Sequence, residues 1–183
     1  MATRKPNLLL IQADQLAPQF LAAYGHPLVK TPNIDRLAEQ GVVFDAAYTN
    51  APFCAPSSFV VMSGRLPSRI AAWDNAVEFS SEIPTFAHYL SAEGYRTCLS
   101  GKMHFIGLDQ LHGFVERLTM DVYPADFTWH PVWDRPNAKL DWYHNMEVVT
   151  KAGICTRAMY MDYDDEVIFR VSGFAGGLIT DFG

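Results

Sequence analysis

A continuous apolar run near the N-terminus constrains the fold more than any other feature of the chain. Within Asn7 to Ala13, the residues from Leu8 to Ile11 are all apolar, and Asp14 and Gln15 follow soon after. A run bounded by polar residues in this way is typical of a parallel strand covered on both faces. The carboxyl ends of such strands are where open α/β sheets place ligands. The run therefore predicts an α/β fold with Asp14 at a candidate ligand-binding edge.

The rest of the chain alternates predicted helices and strands. Capping residues, proline, glycine and the spacing of apolar residues place these elements along the sequence. In chain order we expect a helix from Thr31 to Gly41, a strand from Val42 to Tyr48, a helix capped by Ser57 and ending near Gly64, a helix from Pro84 to Glu93, a strand from Tyr95 to Ser100, and a helix from Met159 to Arg170. The order β, α, β, α, α, β predicts an α/β sandwich.

Composition excludes several classes of protein. The 183 residues are 49% hydrophobic and 19% charged, which argues against disorder, and the net charge of -6 argues against nucleic acid as a partner. No apolar stretch is long enough for a membrane span, and we expect no membrane partner. The three cysteines are widely spaced, so neither a disulfide framework nor a zinc pair is indicated. These features favour a reduced, cytoplasmic protein.

Three polar clusters lie at or near predicted strand ends. Asp14 is a natural ligand for a hard cation, and Cys54 stands on a turn that leads into a helix, where an anion would be attracted. Lys102 and His104 are two positions apart, so in extended backbone they would point the same way and meet one ligand. Each residue alone has an ordinary structural explanation: a turn cap, a small buried apolar residue, a solvated lysine or a satisfied histidine. Three such clusters in one α/β domain favour a shared site.

At this point the chain resembles a known family, the sulfatases. The motifs that carry the resemblance are Pro6-Asn7 with the following strand, Ala13-Asp14-Gln15, Tyr24-Gly25, Thr31 to Ala38, the Cys-x-Pro-Ser segment of Cys54 with Gly64, and Gly94-Tyr95 through Gly101-Lys102. Finer features resemble the bacterial choline sulfatases, namely Asp14 to Phe20, Leu66 to Arg69, Ser100 to Phe105, Asp109 to Phe114 and Asp141 to Met146. The resemblance runs from about Lys5 to about Arg170.

The resemblance implies an incomplete alkaline-phosphatase-like α/β/α sandwich that hydrolyses sulfate esters. In that family the motif cysteine is oxidised to formylglycine, whose hydrate attacks sulfur beside a divalent cation, typically Ca²⁺, with Mg²⁺ or Mn²⁺ as alternatives. By position, Cys54 would be the formylglycine precursor and Asn75 would contact sulfate. Lys102 would bind sulfate and the leaving oxygen, and His104 would assist near the nucleophile. The implied metal ligands in this chain are Asp14, Cys54 and Gln15.

The choline group of the implied substrate suggests an aromatic recognition site. A quaternary ammonium donates no hydrogen bond, so aromatic faces and carboxylates recognise it. The aromatic segment before residue 146 could supply those faces, and we expect Trp129 and His144 to contact the choline group. An aromatic cluster that merely packs a long loop is the alternative.

One position departs from the family pattern. The sulfatase motif has arginine where this chain has Ser58, and the formylglycine-generating enzyme, the implied partner, recognises that arginine. Serine is short and neutral, so we expect little conversion of Cys54.

The organisation of the chain adds further expectations. Residues 1–170 form the expected sulfatase region and residues 171–183 a divergent glycine-rich tail, which we interpret as the mark of a truncated chain. Exposed apolar surface would then favour homo-oligomers. A catalytically inactive sulfatase remnant, or a phosphonate or phosphodiester hydrolase of the same superfamily, are the alternatives to a sulfatase.

Overall fold

The computed structural model describes residues 5–122, 134, 135, 146 and 150–180, without the side chains of residues 177–180. The chain divides into two compact units, Met1–Tyr48 and Thr49–Gly183.

From residue 5 to residue 48, the first unit has one α-helix and two short 3₁₀ turns. The turns are Pro18–Phe20 and Ala22–Tyr24, and helix α1 is Pro32–Gln40. Thr31 precedes the helix, and its hydroxyl donates to a carboxylate oxygen of Asp35 over 2.9 Å. Gly41 follows the last helical residue. The predicted helix from Thr31 to Gly41 is therefore confirmed, because its start and end are encoded by adjacent residues.

The two strands expected in this unit are not formed. Asn7 to Ala13 and Val42 to Tyr48 have no strand geometry, and the side chains from Leu8 to Ile11 are 63% to 76% exposed. A buried parallel strand needs hydrogen-bonded neighbours and a covering layer on both faces. No strand in the described part of the chain pairs with either run. The prediction was wrong for this structure because it depended on partners distant in sequence.

The described residues of the second unit include the following helices and a short parallel sheet. Helix α2 is Cys54–Ser63, α3 is Phe86–Ala92 and α4 is Met159–Thr180, with a 3₁₀ turn at Pro67–Arg69. Strands β1, Cys98–Leu99, and β2, Glu116–Arg117, are parallel, and Cys98 lies opposite Glu116. A parallel pair joined by a long connection is the arrangement expected of an α/β protein.

Several boundaries in this unit differ from the predictions. Ser57 does not cap α2, because the helix already begins at Cys54 and the Ser57 N–H donates to the Phe53 carbonyl over 2.9 Å. The expected end is confirmed, since Gly64 follows α2 with a φ of 66° that glycine adopts without strain. The predicted strand from Tyr95 to Ser100 is reduced to β1.

Helix α4 is longer than the predicted span from Met159 to Arg170. It continues through the glycine-rich residues to Thr180, and the family-region boundary placed at residue 170 stays a prediction. The helix contacts the end of β1, where the Ser100 hydroxyl donates to the Val167 carbonyl over 3.3 Å. None of the helices in the described residues is both long and apolar enough to cross a membrane.

The core of the second unit connects α2 to the loop that follows β1. Phe59 of α2 stacks on Phe79 with ring centroids 4.5 Å apart and lies 6.1 Å from the ring of Phe105. All three side chains are at most 1% exposed. Burying a side chain of this size contributes about 1.5–3 kcal/mol, so the stack fixes helix and loop against each other. Ala55, beside Cys54, belongs to the same cluster as Phe105, beside His104.

Candidate active site

The first turn of α2 holds Cys54 and Asn75 together. Cys54 is the first helical residue, and the Ala55 N–H donates to the side-chain oxygen of Asn75 over 3.0 Å. Phe53, at the capping position, has no side-chain acceptor, so Asn75 supplies the cap from 20 residues away. An amide side chain also carries two N–H donors. Asn75 can therefore cap the helix with its oxygen and donate to an anion at the same helix end.

The environment of Cys54 differs from that of the other two cysteines. None of the three cysteines forms a disulfide, and Cys54 is half-buried at the positive end of a helix dipole. Cys98 lies in β1, where burial and the nearby Glu116 carboxylate raise the pKa of its thiol to about 11 against the opposing charge of Arg96. Cys155 is exposed. Of the three, Cys54 alone has both partial burial and the N-terminal turn of a helix.

The loop after β1 carries Lys102 and His104. Lys102 is half-buried, and His104 is 3% exposed with a φ of 60°. The left-handed backbone at His104 shows that this loop is not extended, so the sequence argument that the two side chains point the same way does not hold. The Gly101 N–H donates to the Thr119 hydroxyl over 2.7 Å, which fixes the start of the loop.

Sequence reasoning missed two residues that hold this loop. One carboxylate oxygen of Asp121 accepts the N–H groups of Met103 at 3.0 Å and His104 at 2.7 Å. Arg117 pairs with the same oxygen at 3.3 Å. No sequence motif includes either residue. The only local signal is that Asp121 comes four positions after Arg117, the last residue of β2.

The first unit carries the remaining predicted ligands. Asp14 and Gln15 are exposed in a turn, and Gln15 has a φ of 57°. Across the described residues, no group of three or more histidine, cysteine, aspartate or glutamate side chains could hold a metal ion. The assignment of Asp14, Cys54 and Gln15 as metal ligands stays a prediction.

The two residues expected to contact choline, Trp129 and His144, lie outside the described residues.

Comparison with known proteins decides the family. A family model described as Sulfatase matches residues 6–171, which is most of the chain. The chain belongs to the sulfatase family.

The relatives of this sulfatase chain are considerably longer than it is. A choline-sulfatase of Rhizobium meliloti (strain 1021) is 49% identical over 170 residues, which cover 92% of this chain and 33% of that protein. A solved structure in complex with its substrate D-glucosamine-2-N,6-O-disulfate is 34% identical with a TM-score of 0.51, covering 54% of this chain and 20% of its own. A solved 2-O GAG sulfatase is 31% identical with a TM-score of 0.57, and the match covers 66% of this chain and 27% of that one.

These comparisons also define the fold. The chain has an incomplete alkaline-phosphatase-like α/β fold and spans about a third of the choline-sulfatase it matches. The predicted fold class is thereby confirmed, although the described sheet has only β1 and β2.

One residue of this sulfatase stands out beside the candidate nucleophile. Ser58 lies four positions after Cys54 on α2, hence on the same face of the helix, and is 9% exposed. The sulfatase motif has arginine at this buried position. The neutral hydroxyl of Ser58 cannot supply the charge or the five N–H donors of a guanidinium.

Proposed function

We propose that the chain is part of a sulfuric ester hydrolase of the choline-sulfatase type, in which Cys54 is the formylglycine precursor. The observation that carries this proposal is the position of Cys54 as the first residue of α2, in a chain that is 49% identical to a choline-sulfatase. The proposed substrate is a small-molecule sulfate ester, choline sulfate. A sulfated sugar is the substrate in one structurally similar protein, which supports the coarser class of sulfate esters.

Protein groups in the second unit suit the binding of a sulfate group. The N–H groups of the first turn of α2 favour an anion next to Cys54, and the Asn75 amide lies at the same helix end. Lys102 adds a compact positive charge on the loop after β1. The proposed cofactor is a divalent cation, Ca²⁺, which in sulfatases would act as a Lewis acid. The protein groups proposed to bind sulfate are the N-terminal end of α2, Asn75 and Lys102.

A hydrolysis assay tests the proposed reaction. The whole chain carrying Ser58→Arg would be co-expressed with a formylglycine-generating enzyme and incubated with choline sulfate or an aryl phosphodiester in the presence of Ca²⁺. Ion chromatography would measure the sulfate released, and absorbance the aryl product. We expect sulfate release to exceed phosphodiester cleavage, and the matched Cys54→Ala variant to release neither product.

Two outcomes would contradict the proposed reaction. Faster cleavage of the phosphodiester would favour a phosphodiester hydrolase. No release of either product by a chain with a converted Cys54 would favour a catalytically inactive sulfatase relative.

That inactive protein is the second candidate, and Ser58 is the observation that favours it. Its buried neutral side chain occupies the position where the sulfatase motif has arginine. The native chain would then bind a sulfate ester without hydrolysing it.

A further inference from the structure

The segment from Lys102 to His104 is held by the carboxylate of Asp121, which lies 17 residues after His104. We propose that Asp121, oriented by Arg117, is the positioning residue that sets how Lys102 and His104 face the substrate. The inference rests on the proposed function, because it assumes that this loop binds sulfate.

The contacts of Asp121 fix two successive peptide groups. A single carboxylate oxygen accepts the N–H of Met103 at 3.0 Å and the N–H of His104 at 2.7 Å. Hydrogen bonds to an ionised acceptor are roughly twice as strong as neutral ones. Because consecutive N–H groups point to one oxygen, neither peptide can rotate without losing a bond. The directions in which Lys102 and His104 leave the backbone therefore depend on Asp121.

Arg117 holds Asp121 in place through a buried network. Its guanidinium donates to the backbone and side-chain oxygens of Gln110 at 3.1 and 2.7 Å, to the Thr119 carbonyl at 3.0 Å and to Asp121 at 3.3 Å. The Arg117 and Asp121 side chains are only 9% and 4% exposed. A buried ion pair is tolerated only when its remaining polar atoms are satisfied, and the arginine meets that condition.

The backbone conformation of His104 explains why this loop needs the hydrogen bonds to Asp121. His104 has a φ of 60°, in the left-handed region that residues other than glycine rarely adopt. Such a conformation persists when the surrounding structure enforces it, and it is concentrated at functional sites. The bond from the His104 N–H to Asp121 is the shorter of the two backbone bonds to that carboxylate, and it is made at the strained residue itself.

A second aspartate in the same unit provides a matched control. One oxygen of Asp109 accepts the N–H groups of Leu111 and His112, both at 3.0 Å. Asp109 is more exposed than Asp121 and lies further along the same loop, and both amides that it accepts from belong to its own turn rather than to the segment from Lys102 to His104. Asp109→Ala should therefore cost a similar pair of hydrogen bonds without removing those that hold that segment.

The test uses NMR on the whole 183-residue chain to measure amide hydrogen exchange and the response to sulfate titration. In Asp121→Ala we expect exchange at the Met103 and His104 amides to accelerate about tenfold more than at amides of α2. Asp121→Asn keeps an acceptor oxygen without its charge and should accelerate exchange at the same two amides about fivefold. This variant replaces Asp121→Ala in the test if the alanine variant does not fold. Titration with sodium sulfate should shift the Lys102 and His104 signals in the native chain and in Asp109→Ala, but not in Asp121→Ala.

Amide exchange and the sulfate titration test the positioning role of Asp121 separately from the proposed sulfate site. Unchanged exchange at Met103 and His104 in both Asp121 variants, or acceleration equal to that of α2, would overturn the positioning role. A sulfate response in Asp121→Ala equal to that of the native chain would overturn it as well. If the native chain itself gives no sulfate response, the proposed sulfate site fails, while the exchange data still decide whether Asp121 holds the loop.

Discussion

The imidazole of His112 is buried between two aromatic rings of the second unit. It is 1% exposed, with ring centroids 4.7 Å from Phe79 and 4.4 Å from Phe105. Burial lowers the pKa of His112, although Asp109, whose carboxylate lies 3.3 Å from Nδ1, partly opposes that shift. The folded protein therefore favours the neutral ring.

This burial predicts a loss of stability in mild acid. Since the pKa of His112 is lower in the folded than in the unfolded chain, its contribution is complete above about pH 6.5, the ordinary histidine value, and declines as the pH falls below it. His112→Phe keeps the aromatic packing and removes the titration. Urea unfolding at pH 8 and pH 5 should show a smaller loss for this variant than for the native chain. Equal losses in both proteins would contradict the role assigned to His112.

The candidate site was predictable from sequence only where a motif marks it. Cys54 and Asn75 were both singled out, and the structure brings them to one helix end. Lys102 and His104 were singled out as well, but their geometry depends on Asp121, which lies outside every recognised motif. Contacts between residues far apart in sequence leave no local pattern, so Asp121 and Arg117 emerge only from the structure.

At the scale of elements, the N-terminus of α3 ties a helix to a distant loop. Thr85 precedes the helix and is fully buried; its N–H donates to Nδ1 of His88 over 3.1 Å. Its hydroxyl donates to the His112 carbonyl over 2.6 Å. One residue thus caps α3 and anchors the loop after β1.

Removal of the Thr85 hydroxyl should destabilise the second unit. Thr85→Val keeps the shape of the side chain but leaves the buried His112 carbonyl without this donor, at an expected cost of about 1–3 kcal/mol. Thr85→Ser retains the hydroxyl and should lose less. Chemical denaturation of the three proteins measures the difference. A valine variant as stable as the native chain would show that the hydrogen bond contributes nothing net.

Helices were predicted far better than strands, for a physical reason. The ends of α1 and α2 carry local signals, Thr31 and Pro32 at one start and Gly64 at one end. A strand is stable only through neighbours that are distant in sequence. The apolar run of Asn7 to Ala13 has the right composition, yet no strand of the described residues pairs with it.

At the scale of the whole molecule, the chain combines a packed aromatic core with unusually exposed apolar segments. Phe59, Phe79 and Phe105 are fully enclosed, whereas Leu9 and Ile11 are 76% and 75% exposed. Contiguous apolar exposure of this kind is uncommon in isolated soluble domains and marks surfaces that other protein covers.

The central claim is that Cys54 is the formylglycine precursor of a sulfatase and that Ser58 limits its conversion. Mass analysis of the Cys54 peptide, from the whole chain co-expressed with a formylglycine-generating enzyme, tests both parts. We predict aldehyde at Cys54 in Ser58→Arg and little in the native chain, with the Cys98 and Cys155 peptides as unmodified internal controls. Stoichiometric aldehyde in the native chain would contradict the role of Ser58, and its absence from both proteins would contradict the assignment of Cys54.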